Sequence, residues 1–309
     1  MLNLRLSFPK LDLFSQQIIR EFYGFSKDPF APEPAPHLFY LTENVREVWN
    51  SILSGIIQRN GFLLLTGEKG MGKTTLISLI YLYLATNIQN LKVIALFDPF
   101  QKIEEIVQSL LSNLGLSLKW SRSRMFSRLE WELTKRSACG EPVVLIIDEA
   151  QNLRRETLEE IRFLANPSPK IPNLLHIIFV GDLQFEKNLR SKDLSLLNQR
   201  VEVRCRLRQF TPEESLGYIE HRLRNAGSAT SRVFTPRAVS LITQNSGGNP
   251  GTLNRICNEA LSVGYNRFKE RIDPVNMREI LANLEMEKEH GWLLPPKPLP
   301  WIKKSLGKS

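Results

Sequence analysis

The chain has 309 residues, 42% of them hydrophobic and 24% charged, with a formal net charge of +9. That length exceeds what one hydrophobic core usually organises, and the composition is that of a globular protein, which excludes fibrous and disordered classes. Apolar runs such as 143–147 and 176–180 are of strand length, and none approaches the roughly 20 residues of a spanning helix. The first residues, MLNLRLSFPKLDLF, lack an apolar signal core. Cys139, Cys205 and Cys257 are too few and too scattered for a disulfide framework or a zinc site. A cytoplasmic protein without an integral membrane segment is expected.

In chain order, a Pro-rich connector at 28–36 precedes a helical pattern at 44–57, and short apolar runs then alternate with helical periods. Strands are expected at 62–66, 92–98, 143–148, 174–181 and 201–207. Helices are expected at 73–85, 103–114, 126–137, 156–165 and 193–199. Such alternation implies a parallel sheet covered on both faces. After Arg208 the strands stop. The patterns at 212–225, 236–243, 252–268 and 274–286 are all helical, several opened by Pro or Thr in the first turn. The last residues contain LLPPKPLPW, two tryptophans and four lysines without an acid, the composition of an extended tail.

Between the first strand and the helix after it, GFLLLTGEKGMGKTT fits Gly-x-x-x-x-Gly-Lys-Ser/Thr from Gly67 to Thr74. Gly67, Gly70 and Gly72, with Glu68, Lys69 and Met71 between them, let the backbone curl until successive N–H groups point inward at phosphate oxygens. The helix that follows adds its positive end. Lys73 is expected to reach the β- and γ-phosphates of ATP, Thr74 to ligate Mg²⁺ through its hydroxyl, and Thr75 to touch the α-phosphate. A glycine-rich turn before a helix can arise without any nucleotide. The apolar strand before this one and the apolar helix after it are what phosphate binding demands.

The apolar run 143–147 passes straight into Asp148 and Glu149. A buried parallel strand ending in an acid delivers its carboxylate to the sheet edge where the phosphate loop lies. Asp148 is expected to hold Mg²⁺, directly or through water, and Glu149 to act as general base on the attacking water.

DEAQNL at 148–153, with ETLEEIRFLAN after it, resembles AAA+ ATPases of the ExeA, or general secretion pathway protein A, kind. Transposition ATPases of the TniB/TnsC type stand in the same neighbourhood. FYGFSKDPFAPEPAPHLFYLT, LLHIIFVGDLQFEKNL, LNQRVEVRCRLRQFTPEESLGYIEHRLRNAG and SGGNPGTLNRICNEAL extend the resemblance over about residues 22–282. It implies an α/β AAA+ P-loop fold with a five-stranded parallel sheet and a C-terminal all-helical lid. It also implies that Arg200 is an arginine finger reaching a neighbouring subunit's γ-phosphate, hence a homo-oligomer. Two positions depart from the family pattern. Asp182 follows Gly181 where the family has Gln; it can orient water, but its charge opposes the phosphate's. Gly248-Asn249-Pro250-Gly251 stands where the family has Gly-x-Pro-Arg, and Arg255, one turn later, is on the same helical face. Slow hydrolysis is expected.

The expected organisation is a Pro-rich leading segment on the adenine side (1–43), an ATPase core (44–209), a helical lid (210–289) and a basic Pro/Trp tail (290–309), with Phe30 near the base. The expected function is an oligomeric ATP-binding and ATP-hydrolysing motor or assembly switch acting on a protein partner. The alternative is an ATP-dependent DNA-binding target selector of the TniB/TnsC type, since a charge of +9 invites a polyanion. Within 119–136, six basic residues interleave with Trp120 and Trp131, a pattern suited to nucleic acid. Glu130 and Glu132 interrupt it, and a solvated amphipathic helix is the preferred reading. His37, His176, His221 and His290 are too scattered to form a ligand set.

Overall fold

A computed structural model describes residues 17–31, 39–97, 102–117, 121–165 and 174–290. Most of the connector at 28–36, the end of the second expected strand at Asp98, Lys119, Trp120 and nearly all of the tail lie outside the described residues.

The chain runs α1 (Glu43–Ile57), β1 (Phe62–Thr66), α2 (Lys73–Asn87), β2 (Lys92–Leu96), α3 (Ile103–Asn113), α4 (Arg122–Ala138), β3 (Val143–Ile147), α5 (Arg155–Ala165), β4 (Leu175–Gly181), α6 (Leu183–Leu189), α7 (Ser195–Gln199) and β5 (Val201–Arg206). Every strand pairing is parallel, and the sheet order is β2-β3-β4-β1-β5. Successive strand residues point to opposite faces, and the cores on the two faces follow that alternation. Phe62, Leu64, Leu145, Ile177 and Phe179 face the side covered by α3 to α7. Leu63, Leu65, Val144, Ile146 and Val180 face α1 and α2, where Val48, Ile52, Leu76 and Ile80 meet them. β3 and β4 are buried at every residue, as parallel strands covered on both faces must be.

Three elements differ from expectation. α4 starts at Arg122, a turn before 126. The helix at 193–199 is a 3₁₀ turn, Lys192–Leu194, followed by α7. α6 was not foreseen: seven residues are too few for a clear period. It is held by Asp182, whose side chain accepts from the Phe185 N–H at 2.8 Å, and by Phe185, 1% exposed in the core.

By its contacts the chain groups into two units. Of the described residues, one contains those within 31–221 with 248–252; the other contains 17–30, 222–247 and 253–290. The second unit is helical: the last turn of α8 (Pro212–Asn225), α9 (Thr230–Val233), α10 (Pro236–Ser246), α11 (Pro250–Asn266) after its first residues, and α12 (Pro274–His290). Within it Tyr23 donates to the Lys269 carbonyl at 3.0 Å. Gly264 makes room, since a Cβ there would stand 2.2 Å from the Tyr23 hydroxyl. Phe30, expected near an adenine, is instead a core residue of this unit. Its ring is 0% exposed and its carbonyl accepts from Asn258 at 2.9 Å, so it has no face to offer a base.

Leu145→Ala, at a wholly buried site in the middle of β3, is expected to cost about 2–5 kcal/mol. Thr42→Ala, which removes the side-chain cap on the Val45 N–H, should cost about 1 kcal/mol. Urea denaturation followed by circular dichroism measures both.

Candidate nucleotide-binding site

β1 ends at Thr66 and α2 begins at Lys73, so the six intervening residues must reverse the chain without regular structure. Gly70 and Gly72 do this at φ 85° and 83°, a region that side chains rarely adopt. Met71, 6% exposed, anchors the loop in the core below. Lys73 is 8% exposed, and its Nζ donates to the carbonyls of Gly67 at 2.9 Å and Glu68 at 3.0 Å. Burial pushes its pKa down from the ordinary lysine value, while Glu149, Asp148 and Asp182 pull it back up. Thr75 is half-buried on the first turn of the same helix. Glu68, exposed at the loop's rim, accepts from Gln209 at 3.0 Å.

β3 delivers Asp148 to the same edge, 1% exposed. The Thr74 hydroxyl donates to its Oδ2 at 2.6 Å, and the Glu149 N–H donates to its Oδ1 at 2.8 Å. Burial pushes this carboxyl above its usual range; the Thr74 and Glu149 hydrogen bonds oppose that. A hydroxyl and a carboxylate converging beside a buried lysine are hard oxygen donors of the kind Mg²⁺ takes. Among the described residues no cluster of three His, Cys, Asp or Glu forms a protein cage. The donor set therefore fits an ion that draws its remaining ligands from phosphate oxygens and water.

Glu149 sits in the left-handed region at φ 50°, ψ 39°, and opens the 3₁₀ turn Ala150–Asn152. Its carboxylate accepts from the Gln151 side chain, whose oxygen in turn accepts from the Asp182 N–H at 3.3 Å. Asp182 thus lies at the end of β4, beside the loop, but one of its carboxylate oxygens serves as the cap of α6.

The segment without the family's arginine touches the loop directly. Gly251 N–H donates to the Gly70 carbonyl at 3.0 Å, and Asn249 Nδ2 donates to the Lys69 carbonyl at 2.9 Å. Asn249 Oδ1 also caps the Thr252 N–H at 3.2 Å. A Cβ at Gly251 would stand 3.0 Å from Gly70 Cα and 3.2 Å from Gly70 O. The first turn of α11 thus lies against the loop's main chain, and a side chain at 251 would need the loop to give by a few tenths of an ångström. Sequence reading missed Gln151 and Asn249, although both lie inside motifs it quoted.

Arg200 is exposed and follows α7 directly. Val201 pairs with Phe62, at the start of β1, whereas Arg206 pairs with Thr66, at its end. Arg200 therefore stands at the edge of the sheet opposite its own phosphate loop, about 17 Å away along the strands. Arg255 is exposed on α11, in the helical unit. On α4, Arg122 pairs with Glu104 and Glu160, Arg136 pairs with Glu132 and Glu141, and Arg128 stacks on Trp131 at 4.1 Å.

Gly251→Arg, which supplies the arginine of the family pattern, is expected to weaken ATP binding by about 1–3 kcal/mol, the usual cost of over-packing a close contact. Calorimetric titration beside the wild type measures it; tighter binding would mean that the loop yields to the side chain without loss.

Residues 56–189 match the family described as AAA domain. The chain is similar to general secretion pathway protein A of Aeromonas hydrophila, at 29% identity over 254 residues, covering 82% of this chain and 46% of that protein. It thus spans about half the length of that relative. Among solved structures it is similar to the Aeropyrum pernix ORC2 protein in ADPNP-ADP complexes, with TM-score 0.59, 14% identity and coverage of 84% of this chain and 72% of that one. It is likewise similar to the Aeropyrum pernix ORC1 protein in complex with DNA, with TM-score 0.61, 16% identity and coverage of 87% and 72%. Among the described residues no helix is long and apolar enough to cross a membrane. The match to the AAA domain family lies over residues 56–189, and the parallel five-stranded unit has the fold of the AAA+ P-loop ATPases.

Proposed function

We propose that this protein binds ATP with Mg²⁺ and hydrolyses it as a homo-oligomer in the cytoplasm, acting as a motor or assembly switch on a protein partner. One observation carries the reading: the 2.6 Å contact between Thr74 Oγ1 and Asp148 Oδ2, beside the buried Lys73. It joins the phosphate loop to a strand-end acid, the pair that an ATPase needs and that a glycine-rich turn alone does not supply. The similarity to general secretion pathway protein A supports the choice of a protein partner.

In this reading the N–H groups of the loop, from Gly67 to Gly72, cradle the phosphates, and Lys73 exchanges its two carbonyl partners for phosphate oxygens. Thr74 and Asp148 hold Mg²⁺, which when bound offsets charge on the β- and γ-oxygens. Glu149 accepts a proton from water as the water oxygen bonds to the γ-phosphorus. The bond from that phosphorus to the β,γ-bridging oxygen breaks, and ADP leaves with the electron pair. Lys73 and a neighbour's Arg200 offset the negative charge that develops. Arg200 belongs to the neighbour's site because its own loop lies at the opposite sheet edge, and its guanidinium has no ion-pair partner among the described residues. Asp182 acts as a helix cap whose charge opposes the phosphates, and turnover is accordingly slow.

Glu149→Gln is expected to keep ATP binding and lower turnover by about 100-fold or more. Arg200→Ala should keep binding and lose turnover by about 1,000-fold. Mixing it with an excess of Lys73→Ala, which has a dead loop and an intact arginine, should restore activity. Phosphate-release assays on the separate and mixed proteins measure all three, and equal rates for wild type and Glu149→Gln would overturn the reading.

The net charge of +9 favours a second reading, an ATP-dependent DNA binder of the target-selector type. The ion pairs on α4 count against its basic run as the interface. In this second reading, duplex DNA is bound only with ATP, and affinity falls steeply between 50 and 200 mM salt, by about 10³-fold or more for six or more phosphate contacts. Fluorescence anisotropy across a salt series decides it, and the protein-directed reading expects no ATP-dependent binding.

A further inference from the structure

We infer that Gln151 is the positioning residue for the catalytic base, holding the Glu149 carboxylate while its own carboxamide is held by the main chain of Asp182. The inference rests on the ATPase reading above and assigns a role to a side chain that this reading left idle.

The two partners fix both ends of the amide. A carboxylate only accepts, and a main-chain N–H only donates. The Asp182 N–H therefore requires the Gln151 oxygen, 3.3 Å away, and the Glu149 carboxylate requires the Gln151 nitrogen. Glutamate in this position offers two acceptors, lysine and arginine offer only donors, leucine offers neither, and asparagine is one methylene short. Glutamine meets both demands in one orientation.

The platform under it is rigid. Gln151 lies in a 3₁₀ turn closed by the Asn152 N–H on the Glu149 carbonyl at 2.9 Å and the Leu153 N–H on the Ala150 carbonyl at 3.2 Å. Ala150 is 0% exposed and Leu153 7%, so both flanking residues are set in the core. Glu149, by contrast, occupies a left-handed backbone conformation that a non-glycine residue keeps only when its surroundings impose it. The carboxamide is part of that imposition.

The link also reaches the other functional element. Asp182 caps α6, which leads through α7 to Arg200. The base is thus fastened to the start of the helical run that ends at the residue offered to the neighbour.

A double-mutant cycle tests the inference, with turnover and ATP affinity measured separately. Gln151→Leu should lower kcat by about 10- to 100-fold, the usual effect of a misplaced reacting group, and leave ATP affinity within about twofold. In a Glu149→Gln background the same change should have no further effect, because the carboxylate it positions is gone. Gln151→Glu, nearly isosteric, should lose activity in the same way and serves if the leucine variant does not fold. Wild-type turnover in either variant, or the same loss with and without Glu149, would overturn the inference. A wild type that binds ATP but never hydrolyses it would remove the ATPase reading itself, and the inference with it.

Discussion

A lysine ammonium that is 8% exposed is a costly object, and the carboxyl edge of the sheet is organised around keeping Lys73 charged. Two loop carbonyls accept from it, and three acids contribute their field, Asp148 and Glu149 after β3 and Asp182 after β4. One of those acids, Asp148, is itself buried and carries its own requirement, met by the Thr74 hydroxyl and the Glu149 N–H. Each charged group is tolerable because the others are present. What gathers them is the parallel sheet: when every strand runs the same way, residues after β1, β3 and β4 arrive at one edge however far apart they are in sequence.

What could be read from the sequence was local. A glycine pattern between an apolar strand and an apolar helix, and a five-residue apolar run ending in two acids, each announce their structure within a dozen residues. The five strands, and a parallel sheet covered on both faces, followed from the same signals. Whatever depended on a distant partner was hidden. The capping role of Asp182 went unread for a different reason: the helix it opens is seven residues long and gives no period. Gly251 looked like an omission. It is a contact, legible only once Gly70 is known to lie 3.0 Å from where a side chain would start. Gln151 was in plain view inside DEAQNL, but its role needs the main chain of a residue at the end of another strand. Phe30, expected near the base, is wholly buried, which the sequence around it did not announce.

The contact between Gly248–Thr252 and the phosphate loop also joins chemistry to architecture. Pro250 opens α11 within the ATPase unit, while the helix from Leu253 on belongs to the other unit. The loop that would hold the phosphates and the first turn of that helix share one main-chain hydrogen bond, from the Gly251 N–H to the Gly70 carbonyl, beside the Asn249 side chain on the Lys69 carbonyl.

The placement of Arg200 at the amino edge of the sheet, with the loop at the carboxyl edge, has a consequence for stoichiometry. Under the proposed function, a copy that lends its guanidinium from one edge and borrows another at the opposite edge would make unlike contacts on its two sides, and its assembly would be polar. If the rotation between neighbours closes, the result is a ring in which every site is complete. If it does not, the result is a filament whose two tips differ: one tip has a pocket awaiting an arginine, the other an arginine without a pocket. In the open form the number of competent sites is always one fewer than the number of chains, and the filament carries a built-in direction of growth.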